Sequence, residues 1–210
     1  MRFPSPQITP CMNYFVGLFF LVNAFFPHPA TDPDPIQDIR KKYGYINQAL
    51  NEGKLYEVSL TYDCPDYPEE GSISYFYEND QLRLIKYGSS DGSHGADDWE
   101  FYVWDEKLFF AYQSGGYWTF SGSDEEGNPL TEDHLHEYRY YFHNGAPIRC
   151  LEKQYVQKSG QPNKSAAEIP NVEVECAGPT EADELFSKMR LLEDRSDLIG
   201  TCIWEEIEHE

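Results

Sequence analysis

The residues whose types and spacing suggest chemistry lie at 132–137, which reads Glu-Asp-His-Leu-His-Glu. On a strand, alternate side chains share a face, so Glu132, His134 and His136 can offer one carboxylate and two imidazoles to a single metal ion. A metal-dependent hydrolase built there also needs an open coordination position for water. His143 falls on the opposite face by the same alternation. The competing reading is a solvated strand entrance in an acidic chain. Two further acidic groups, Asp91 with Asp97 and Asp98, and Asp63, Asp66, Glu69 and Glu70, carry oxygen ligands that calcium uses. Neither has EF-hand spacing, and solvated turns account for both.

Aromatic rings offer different chemistry. Trp99, Trp104, Tyr117 and Trp118 fall close together, beside Asp and Gln, in the arrangement that stacks on sugar faces. The alternative is that they fill a core. Alternation places Trp99, Phe101 and Val103 on one face of a strand and Tyr102 and Trp104 on the other. The protein therefore has either a two-sided core or a usable aromatic surface. Nucleophilic catalysis has little support. There is no P-loop and no dinucleotide fingerprint, and the adjacency of Ser93 and His94 does not make a triad.

The elements that must position these residues follow from periodicity. Asp34 and Pro35 suit a helix cap and first turn. Ile36, Ile39, Tyr43, Ile46 and Leu50 then form one apolar face of a helix closed near Gly53. From residue 55 the period becomes two. Strands are expected at 55–62, 72–77, 82–87, 100–104, 108–112, 137–142 and 148–155, with turns at 78–81, 105–107 and Asn144-Gly145. Segments 89–98, 121–133 and 158–170 read as polar loops, the last with an Asn-Lys-Ser glycosylation sequon at 163–165. A capping-box-like start at Thr180 predicts a second helix to about Arg195, and 199–207 reads as a final strand. The fold class is α+β: an antiparallel meander with the first helix packed across it and a C-terminal helix-strand appendix.

Residues 16–26 (VGLFFLVNAFF) form an uncharged apolar run, short for a membrane span and suited to a signal sequence. Residues 1–30 are read as that signal and 31–210 as one domain, with an uncleaved anchor as the alternative and the start at Met1 or Met12 left open. The net charge of −21 argues against nucleic acid and anionic membrane surfaces as partners. It suits a cationic partner or simple solubility. Cys64, Cys150, Cys176 and Cys202 follow the apolar run, an even number that in an exported chain implies two disulfides. Three pairings are open, as is the alternative of buried free thiols.

A signal sequence, one amphipathic helix and aromatic hairpins such as Tyr-Tyr-Phe-x-Asn-Gly-x-x-Ile-Arg at 140–149 resemble uncharacterised exported proteins of Gram-negative bacteria, over residues 36–155. The resemblance implies a secreted or periplasmic protein and carries no activity with it. The expected function is a non-enzymatic exported binding module for an unknown protein or glycan, with no cofactor. The metal-dependent hydrolase and the carbohydrate-binding module are the alternatives.

Overall fold

The computed structural model describes residues 34–64, 69–92, 94–195 and 202. Helix α1 (Pro35–Asn51) opens as its sequence predicts: the Asp34 carboxylate accepts the Ile36 N–H at 3.0 Å, and Pro35 has no N–H to satisfy. Ile39, Ile46 and Ala49 are its buried residues.

Eight strands follow: β1 (Tyr56–Cys64), β2 (Glu69–Glu78), β3 (Gln81–Ser90), β4 (Gly95–Trp104), β5 (Lys107–Ser123), β6 (Pro129–His143), β7 (Ala146–Lys158) and β8 (Val172–Val174). They form one antiparallel sheet in the order of the chain, the predicted meander. Helix α2 (Glu181–Leu191) is the last element among the described residues, its Thr180–Asp183 capping box formed in both directions. The segment 199–207 lies outside the described residues except for Cys202. Among the described residues, no helix is long and apolar enough to cross a membrane.

Three hairpins turn tightly at one end of the sheet. Asn79-Asp80, Asp105-Glu106 and Asn144-Gly145 each place two successive residues at positive φ, the two-residue turn whose twist matches the flanking strands. Beside each turn the register slips, between Phe76 and Tyr77, Tyr102 and Val103, and Tyr141 and Phe142. The repeated aromatic triplets therefore feed both faces. Tyr75 and Phe101 join Leu60, Ile73, Ile85 and Trp99 on the face under α2, where Ala182, Met189 and Leu192 seal the core. Phe76 and Tyr102 join Leu84 and Phe110 on the other face, under Ile39 and Ile46 of α1. The core is two-sided, one helix to each face.

The strands run further than the sequence suggests. Of the expected loops 89–98 and 121–133, only residues 91–94 and 124–128 lie between strands. Serine, glycine and aspartate are poor strand formers, but at 89–90 and 96–98 their backbones are paired on both sides, and at 121–123 they pair with β6. Strand β8 was not expected, and it pairs with β7 beside a disulfide from Cys150 to Cys176. The other disulfide joins Cys64 to Cys202.

Candidate functional site

The two helices cover the turn end of the sheet. At the opposite end one register row crosses six strands on the α2 face: Gly71, Ser89, Asp97, Gly115, His136 and Gln154. The row is low because three of its members are small. Asp97 and His136 sit on strands that are not neighbours, with β5 between them, yet the His136 Nε2–H donates to Asp97 Oδ1 at 2.8 Å. Gly115 makes this contact feasible. A Cβ there would stand 2.1 Å from Asp97 Oδ1 and 2.5 Å from the Ala96 carbonyl oxygen. A glycine inside a strand is the usual mark of such close approach.

Gly115→Ala is accordingly expected to lower stability by about 1–3 kcal/mol through overpacking, and to separate the pair. Thermal melts and the His136 ring resonances in NMR read the two effects. Unchanged ring resonances would show that Gly115 does not hold the pair together. Gly44→Ala, in α1 with nothing within 4 Å, is the opposite case, where removing a helix-interior glycine gains up to about 1 kcal/mol.

One rim of the row is Tyr87, Trp99, Gln113 and Tyr138. Gln113 is buried; its Nε2 lies 3.5 Å from Asp97 Oδ1, and its Oε1 has no hydrogen-bond partner. The other rim is Tyr117, 53% exposed, whose ring lies parallel to His134 at 4.8 Å. At the β2 end, Glu69 accepts the Tyr62 hydroxyl at 2.8 Å. Burial raises the Tyr62 hydroxyl pKa, and Tyr87 and Glu69 raise it further, so it stays a donor. Glu181, at the start of α2, has its carboxyl pKa raised by partial burial and then by the nearby charge of Asp97. The result is a cleft of about 410 Å³ running across the strands. The His136 imidazole, the carboxylates of Glu69, Asp91 and Asp97, and the Tyr117 ring line it.

The sequence candidates are distributed differently. Glu132, His134 and His136 do share this face, but each is engaged separately. Glu132 accepts the Lys158 ammonium at 2.6 Å, which holds its pKa below the ordinary carboxylate value. His134 stacks on Tyr117 with Nε2 3.4 Å from Thr119 Oγ1, and His136 turns to Asp97. Same-face neighbours on a strand stand about 6.5–7 Å apart, and nothing draws these three to one point. Among the described residues, no group of three or more His, Cys, Asp or Glu side chains is arranged to hold a metal. Asp91 spends its Oδ1 on the N–H groups of His94 and Gly95, at 2.8 and 2.9 Å, closing the β3–β4 turn. Asp66 and Ser93 lie outside the described residues.

Trp99 is not a surface ring. It is 3% exposed and stacked between Phe101 and Tyr140. Trp104 lies on the α1 face with the Arg83 guanidinium 4.3 Å over its ring. Trp118 faces away from the cleft, against His94 and Phe120. Of the four rings only Tyr117 reaches the cleft.

The spacing Gly-x-Ser-x-Gly does occur, at 88–92. It ends β3 and runs into the connection to β4, with Ser90 Oγ accepting the Gly92 N–H, whereas a nucleophile elbow passes from strand to helix. Ser89 lies in the cleft row, but Asp97 stands between it and His136, the wrong order for a nucleophile–base–carboxylate relay. The sequence offers Asp97 only as an oxygen ligand in an expected loop, and it leaves Gln113 and Gly115 unassigned between the expected strand 108–112 and the expected loop 121–133. The adjacent glycines at 115–116 were the available signal. No protein-family model, curated protein or solved structure matches this chain.

Proposed function

We propose that this protein is an exported, non-enzymatic binding module whose ligand lies across the strands in the cleft over Asp97, Gly115 and His136. The observation that carries this reading is the glycine-floored row. Around it, Glu69, Ser89, Asp97 and His136 present hydrogen-bonding groups to an open cleft, and Tyr117 presents an aromatic ring. Such a site recognises an extended chain without needing a reactive group.

A glycan ligand is favoured by one feature. Tyr117, half exposed and stacked parallel on His134, stands beside a carboxylate and an imidazole that can hydrogen-bond ring hydroxyls. A protein segment is the other partner class. The net charge of −21 opposes nucleic acid and anionic lipid. Export is supported by the two disulfides, which persist in oxidising compartments, and by the apolar run at 16–26.

The test is glycan and peptide array binding with the wild type, Tyr117→Ala and Asp97→Ala. A ligand found with the wild type is expected to lose roughly tenfold or more in affinity with each variant, as removal of a stacked ring or a charged hydrogen-bond acceptor does. A ligand bound equally by all three proteins would place the site elsewhere.

A further inference from the structure

On the opposite face of the sheet, between α1 and strands β5 and β6, lies a second pocket of about 230 Å³, lined by Ile39, Arg40, Tyr43, Phe110, Arg139 and Tyr141. Its walls are apolar and aromatic. Phe110 meets Tyr43 edge-on at 5.4 Å and Tyr141 at 5.0 Å. Arg40 and Arg139 both line it, in a chain with 37 acidic and only 16 basic Lys and Arg residues.

The local charge runs against that of the whole molecule. Arg139 is held in place by Glu137 at 2.6 Å, by Asn171 at 2.7 Å and by the Tyr112 ring. Buried Lys153 claims the same carboxylate, 3.1 Å from Glu137 Oε2. Two cations thus share one anion, and a positive charge is left over. Arg40 adds another. It makes no hydrogen bond or ion pair among the described residues, and its neighbours three and four positions away on α1 are Ile36, Gln37, Tyr43 and Gly44, none of them charged. Most of the protein's surface repels anions, whereas this pocket sets Arg40, unpaired among the described residues, beside Arg139, whose only anionic partner, Glu137, is shared with Lys153. Guanidinium groups match carboxylates in geometry, and an aromatic lining takes up an apolar body.

We propose that this pocket binds a small amphipathic carboxylate, its ring or short chain among Ile39, Tyr43, Phe110 and Tyr141 and its carboxylate between Arg40 and Arg139. The size fits a small guest, since pockets for drug-sized ligands run from about 300 to 1,000 Å³. The inference is independent of the cleft on the other face.

Phenylacetate is a suitable probe, with phenylacetamide as its uncharged isostere, titrated by calorimetry into the full chain. Saturable phenylacetate binding is expected, with phenylacetamide roughly tenfold weaker. Arg40→Ala is expected to weaken phenylacetate roughly tenfold, and Arg40→Lys to recover part of the loss. Arg40 is exposed, so these variants keep the fold. Tyr117→Ala is expected to leave phenylacetate affinity unchanged, which separates this site from the cleft. Absent saturable binding, equal affinity for acid and amide, or an unchanged affinity in Arg40→Ala would each overturn the proposal.

Discussion

Trp99→Ala is expected to lower the unfolding free energy by about 3–5 kcal/mol, the range for emptying a buried large aromatic site. The indole is 3% exposed and stacked parallel between Phe101 at 5.4 Å and Tyr140 at 6.1 Å, so its loss opens a cavity beneath the cleft rather than trimming a surface. Tyr117→Ala, at a half-exposed position on the cleft's far rim, is expected to stay within about 0.5 kcal/mol. Urea denaturation of the two variants separates a core ring from a ligand ring. Equal, small losses would return Trp99 to the surface and undo the two-sided core.

Removing the Cys64–Cys202 bridge has the other large expected effect. The cysteines are 138 positions apart in the chain, against 26 for Cys150–Cys176. In the chain-entropy account, loops of those lengths correspond to about 5 and about 3.5 kcal/mol. Both cysteines of the longer bridge are buried, and Cys64 ends β1, an edge of the sheet. Cys64→Ala with Cys202→Ala is therefore expected to lower the melting temperature by roughly 10 °C or more. Cys150→Ala with Cys176→Ala should cost less. Scanning calorimetry of the two double variants decides the order, and the reverse order would mean that native packing around Cys150 outweighs loop length.

Much of the architecture is legible in the sequence, because its devices are local. Spacings of three and four mark α1, the capping box marks α2, and Asn144-Gly145 marks its hairpin before any tertiary contact is known. What escapes is whatever depends on neighbours across the sheet. Residues 96–98 look like loop, and 113–117 lie beyond the expected strand 108–112; both become strand because strands on both sides complete their hydrogen bonds. The even count of cysteines implies two bridges but not their partners. The shared face of Glu132, His134 and His136 follows from alternation. Their separate engagement with Lys158, Tyr117 and Asp97 does not, since those partners arrive from β5, β7 and, over a glycine, from β4. For the same reason the cleft, a row across six strands, has no contiguous trace in the chain.

The meander order also bears on how the sheet comes into being. Every pairing joins strands consecutive in the sequence, so each new strand finds its partner already waiting beside it. Contacts this local go with rapid folding, because little loop entropy is lost before each contact forms. The Cys64–Cys202 bridge is the covalent link that must reach from the first strand across 138 positions of sequence. A polypeptide emerging N-terminus first can thus assemble in order of arrival, and the Cys64–Cys202 closure is an oxidation that waits for residue 202.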